Sequence, residues 1–79
     1  MFLYQCVMEQ LHSPESGAYT SYGIAVFEAS GGRQQKLSFV SDVFLDQARA
    51  AHLAEACTAG QLAPSQLLDV VEDALAELV

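Results

Sequence analysis

Tyr19-Thr20-Ser21-Tyr22-Gly23-Ile24-Ala25-Val26-Phe27-Glu28, followed by Ala29-Ser30-Gly31-Gly32-Arg33, decides the fold. In the first run Tyr22, Ile24 and Val26 recur with period two, which predicts a strand. Gly23 and Ala25 leave the opposite side shallow, and a glycine inside a strand marks a bulge or a close approach by another group. Gly31-Gly32 then stands between two strand-like runs. It is a hairpin signal, because glycine accepts the positive φ that tight hairpin turns require.

Toward the N-terminus, residues 2–11 alternate in the same way. Phe2, Tyr4, Cys6 and Met8 fall on one side, Leu3, Gln5, Val7 and Glu9 on the other. His12-Ser13-Pro14-Glu15-Ser16-Gly17 separates this run from the next with turn dipeptides and a proline that cannot donate to a ladder. Beyond the hairpin, residues 34–41 predict a third strand, with Leu37 and Phe39 on one side and Ser38 and Val40 on the other. Three sequential strands joined by short turns make an antiparallel meander.

The period changes after residue 44. Ala50, Leu53, Ala54 and Cys57 follow the i, i+3, i+4, i+7 pattern of a helical stripe over residues 44–58. Asp42 or Asp46 can cap its start, and Gly60 stands where a left-handed residue would end it. A short link, Gln61-Leu62-Ala63, leads to a second helix over residues 64–78. Pro64 suits its first position, and Leu67, Leu68, Val71, Ala74, Leu75 and Leu78 form its apolar face. The expected architecture is α+β: a three-stranded antiparallel meander packed on a C-terminal pair of antiparallel helices (βββαα), one domain over residues 1–79. The helices cover one face of the sheet. The other carries Leu3, Val7, Ala25, Phe27 and Val40, which is greasy for a solvated surface.

Composition limits what such a domain can do. The chain is 52% hydrophobic and 16% charged, with ten acidic residues against three Lys and Arg, a net charge of −7. The hydrophobic fraction argues against intrinsic disorder. Three cations are too few to neutralise a run of phosphates, so no nucleic-acid partner is expected, nor a polybasic membrane docking site. The apolar start is too short to span a membrane and has no leading cation, so a cytoplasmic location is expected. Cys6 and Cys57 are too far apart for a C-x-x-C motif and too few for a disulfide-built scaffold; both read as buried thiols, with a bridge or a reactive thiol as the alternative.

No catalytic constellation stands out. His52 and Glu55 are three apart on a helix, but a metal needs three or four ligands and no cluster completes the set. No nucleophile motif or phosphate loop is present. The expectation is a non-enzyme without cofactor or metal. The acids are the unusual pattern. Residues 1–49 hold five acids and three bases, a net of −2, whereas residues 50–79 hold five acids and no Lys or Arg, a net of −5. Asp69, Asp73 and Glu77 are spaced i, i+4, i+8, so one helical stripe accepts like-charge repulsion. This stripe is a solvated face that aids solubility, or a docking site for a basic partner.

Two segments together resemble a known group. Tyr22-Gly23-Ile24, and Leu62-Ala63-Pro64-Ser65-Gln66-Leu67-Leu68-Asp69-Val70-Val71-Glu72-Asp73 downstream of Cys57, are similar to a family of uncharacterised proteins of about 80 residues from Gram-positive bacteria. Those proteins share a Y-G-I strand and an L-x-P-x-x-L-x-D-V-V-E-D helix. The likeness runs from Thr20 onward. It implies a bacterial cytoplasmic protein and no assigned activity. The family pattern often has a histidine where Gln66 stands, so no role that rests on that histidine carries over.

The expected function is therefore a protein-interaction or regulatory module that docks to a protein partner or forms a homodimer. Its candidate interaction residues are Leu3, Val7, Phe27 and Val40 on the sheet and Asp69, Asp73 and Glu77 on the helix. The alternative is a small-ligand site between sheet and helices, floored by Gly23 and Ala25.

Overall fold

A computed structural model describes residues 1–77. The elements are β1 (Phe2–Ser13), β2 (Gly17–Ser30), β3 (Arg33–Phe44), α1 (Gln47–Ala59) and α2 (Leu67–Ala76), with one 3-10 turn at Pro64–Gln66 before α2. The strands form a sheet in the order β1-β2-β3, both pairs antiparallel. This is the βββαα meander, with strands two or three residues longer at most ends than the alternation indicates. At the first turn, the Ser13 hydroxyl accepts from the N–H groups of Glu15 and Ser16. At the second, Gly31 and Gly32 take φ of 59° and 78°, the two successive positive values of a tight hairpin.

The core lies between one sheet face and the helices. Tyr4, Ile24, Val26, Val43 and Phe44 meet Ala50, Ala54 and Cys57 of α1 and Leu67 and Val71 of α2. Ala50 and Ala54 keep α1 close to the sheet. Asp46 is the helix cap, its carboxylate accepting from the Ala48 N–H at 2.9 Å. The ends of the helices run opposite ways: Ala48 and His52 share a groove with Ala74 and Glu77, while Cys57 shares one with Val70. Leu68 does not belong to the apolar face; it is 55% exposed, because the buried edge of α2 follows Leu67 and Val71 and turns Leu68 outward. Leu78 lies outside the described residues.

The end of α1 differs from expectation. Gly60 is right-handed, at φ −85°, and Gln61 takes the left-handed position at φ 49°. The Leu62 N–H reaches the Cys57 carbonyl and the Gln61 N–H reaches the Thr58 carbonyl, the bonding pattern of a Schellman end displaced by one residue. The displacement aims Gln61 at β1. Its Oε1 accepts from the Phe2 N–H at 2.8 Å, and its Nε2 donates to the Phe2 carbonyl at 2.9 Å. Thr58 Oγ1 accepts from the Tyr4 N–H at 2.9 Å. The two side chains thus occupy the outer edge of β1 where it would otherwise present unpaired backbone groups.

Val40 is the main correction to the sheet. It pairs with Ile24 and packs against the core, not on the far face. The hairpin starts in simple register, with Ser30 opposite Arg33 and Phe27 opposite Lys36. Val26 then pairs with Ser38, leaving Leu37 as a bulged residue. One inserted residue exchanges the faces of everything beyond it. Val40 therefore turns to the core, and Phe39 takes its place on the far face.

Candidate interaction face

The far face of the sheet is built in rows, and among the described residues no helix lies on it. Leu3, Phe27 and Lys36 form one row, and Gln5, Ala25 and Phe39 the next. Val7 and Gly23 form the third. The Phe39 ring leans over Gly23, where an added Cβ would stand 2.7 Å from the ring and 2.6 Å from the Val40 carbonyl oxygen. Gly23 is thus the close approach its position in the strand implied, and the shallow floor is filled by the chain's own aromatic ring. It also faces away from the helices, so Gly23 and Ala25 do not floor a ligand site between sheet and helices. Leu3, Val7, Phe27 and Phe39 are half-buried. Lys36 Nζ sits 4.8 Å from the centre of the Phe39 ring, a cation–π contact that holds the ammonium over the face.

The rows end in a polar knot. A second irregularity between Tyr22 and Ile24 lets β3 place Ser41, Asp42 and Val43 opposite Gly23 alone, with Asp42 left-handed at φ 57°. Aspartate tolerates that conformation better than most residues. Its carboxylate accepts from Tyr19 Oη at 2.9 Å and Ser21 Oγ at 2.6 Å. Glu9 reaches across from β1 and accepts from Ser41 Oγ at 2.8 Å and from the Asp42 N–H at 2.8 Å. Two carboxylates are therefore held side by side by neutral donors. The hydrogen bond from Tyr19 to Asp42 raises the tyrosine pKa above its usual 10.0, and some desolvation and the negative charges of Asp42 and Glu9 add to the effect.

Leu3, Val7 and Phe27 come together on this face. Val40 does not, and Phe39, Lys36, Glu9 and Asp42 join instead. A bulge has no composition of its own in β3, which is why alternation put the wrong residue there. The lone lysine on an otherwise uncharged run was the one signal available. Asp69 and Asp73 on α2 and Glu77 at its C-cap are exposed, on the helical side of the molecule, and are in no ion pair among the described residues. The sheet residues and the acidic stripe are therefore two separate surfaces.

Cys57 is buried and Cys6 half-buried, both are free, and burial pushes both thiols up from 9.0. His52 lies in the open groove of about 470 Å³ between the helices, with Leu53, Ala56 and Ala74. Among the described residues no three His, Cys, Asp or Glu side chains gather as a metal would require, and no helix is long and apolar enough to cross a membrane.

The model of a family described as a family of unknown function (DUF6514) matches residues 1–77. No curated protein and no solved structure matches the chain.

Proposed function

We propose, since the chain belongs to the family of unknown function DUF6514, a role read from geometry: it is a non-enzymatic protein-interaction module that docks through the uncovered sheet face. The observation that carries this reading is the strip of Leu3, Val7, Phe27 and Phe39, which sits beside Ala25 with no element over it among the described residues. Apolar strips rimmed by polar groups are where proteins associate. Here Lys36 closes one end and Glu9 with Asp42 the other. A bacterial, cytoplasmic setting accompanies the proposal, as the likeness of Tyr22-Gly23-Ile24 and Leu62–Asp73 implies. Asp69, Asp73 and Glu77 keep the opposite, helical side charged and solvated.

Capture from an extract of the native cell tests the reading. The wild-type chain is compared with Leu3→Lys/Val7→Lys, which charges the strip on a half-buried edge strand. The expected result is a bound protein that the variant releases while its circular dichroism is unchanged, and that rebinds the wild type when purified. Equal capture by both chains would place the interaction elsewhere. Loss of capture by Asp69→Lys/Asp73→Lys alone would move it to the helical stripe.

A further inference from the structure

The uncovered face is complementary to itself, and we propose that its occupant is a second copy of this chain. The two sheets pack face to face about a two-fold axis, so that Lys36 of each copy meets Glu9 and Asp42 of the other. The inference rests on the preceding reading that this face is an interface.

Three features of the face choose the occupant. The first is its charge order. Lys36 lies in the row of Phe27, and Glu9 in the row of Ser21. Six residues of strand separate them, about 20 Å. Between them Val7, Gly23, Ala25 and Phe39 carry no charge and Gln5 is polar, while Ser41 and Asp42, opposite Gly23, already belong to the acidic end with Glu9. A closed two-fold contact requires one patch to match itself under rotation. An axis across the strands exchanges the two ends of the face, bringing the cation onto the acids and the apolar middle onto itself. An axis along the strands would instead leave acids against acids.

The second feature is where the remaining charge lies. Residues 50–77 hold five acids and no Lys or Arg, and they belong to the helical layer and its connections. That layer is about 10 Å behind the sheet, close to a Debye length at physiological salt. Two copies of net charge −7 therefore meet on the side where their repulsion is weakest.

The third is area. Strands of 12, 14 and 12 residues make a face about 40 Å long and about 14 Å wide. The footprint is roughly 500 Å² per copy before side-chain relief, at the lower end of specific interfaces. The dimer belongs to the weak, concentration-dependent class.

Lys36 is the only lysine in the chain, which makes the geometry directly readable. Sedimentation of the purified chain from micromolar to millimolar concentration is expected to show monomer passing into dimer. A zero-length carbodiimide crosslink in a mixture of ¹⁴N and ¹⁵N protein is expected to join Lys36 of one copy to Glu9 or Asp42 of the other. Lys36→Glu is expected to raise the dimer dissociation constant about tenfold or more, because it sets like charges opposite one another, with its circular dichroism unchanged. A monomer at millimolar concentration overturns the proposal. So does a dimer that Lys36→Glu leaves intact, or one whose crosslinks fall on Asp69, Asp73 or Glu77. A monomer that still captures a different protein through Leu3 and Val7 removes the self-association alone. A monomer that captures nothing through them removes the interaction reading too.

Discussion

A methyl group at Gly23 has no free space, because the Phe39 ring stands on one side and the Val40 carbonyl oxygen on another. The ring is the end of a side chain and can shift, but the carbonyl belongs to the β2–β3 ladder. Gly23→Ala is therefore expected to cost about 1–3 kcal/mol, the range for overpacking a filled site, measured by urea denaturation. A neutral result would mean the ring moves aside freely. Thr58 acts through one hydroxyl: it accepts from the N–H of Tyr4, a residue only 4% exposed. Thr58→Val keeps the shape and removes the acceptor, and an orphaned buried N–H costs about 1–3 kcal/mol. Thr58→Ser keeps the acceptor and is expected to retain most of the stability. If valine and serine behave alike, the hydroxyl has no role at the edge of β1.

At the scale of elements, α2 carries its acids against its own interest. Asp73 stands one turn from both Asp69 and Glu77, and the last turn of the helix holds no basic residue. Asp73→Lys turns two repulsive i, i+4 pairs into attractive ones and favours the negative helix end, an expected gain of about 0.5–1 kcal/mol visible in the thermal midpoint at low salt. The absence of a gain would mean that solvent already screens the stripe. The stripe, the three strands and the helical periods were all legible in the sequence, since each follows from a local repeat. What was not legible depends on non-local pairing. The bulge at Leu37 follows from the pairing of β2 with β3, and it moves Phe39 and Val40 to opposite faces. The left-handed residue at Gln61, in place of Gly60, goes with the hydrogen bonds of its side chain to Phe2, 59 positions away. The part of the candidate face supplied by β1 and β2 could thus be read from alternation, and the part supplied by β3 could not.

For the whole molecule, 44 × 25 × 20 Å, one two-layer core holds sheet and helices together, and its acidic groups are of an unusual kind. Tyr4 and Cys57 are both buried in that core, and the Tyr4 hydroxyl donates to the Leu62 carbonyl. Burial raises the tyrosine pKa from 10.0, with the nearby Cys57 charge adding to it, and burial raises the Cys57 and Cys6 thiols from 9.0. In each case the folded chain keeps its proton to higher pH than the unfolded chain does. Above the unfolded values the native state therefore binds more protons, and the free energy of unfolding falls as pH rises. These groups contribute their full stability below pH 9.0, the ordinary thiol value, and lose it progressively on the alkaline side. Ionised Tyr4 would also lose its bond to Leu62, and two neighbouring anions in one core would repel. Urea midpoints measured across neutral and alkaline pH are expected to decline from about that point upward. Cys57→Ala lowers stability at neutral pH through lost packing, so the slope is the informative quantity: it is expected to be shallower in the variant. Equal alkaline slopes in the two proteins would mean that the buried thiol does not set the limit, and that the growing negative charge of the whole chain does.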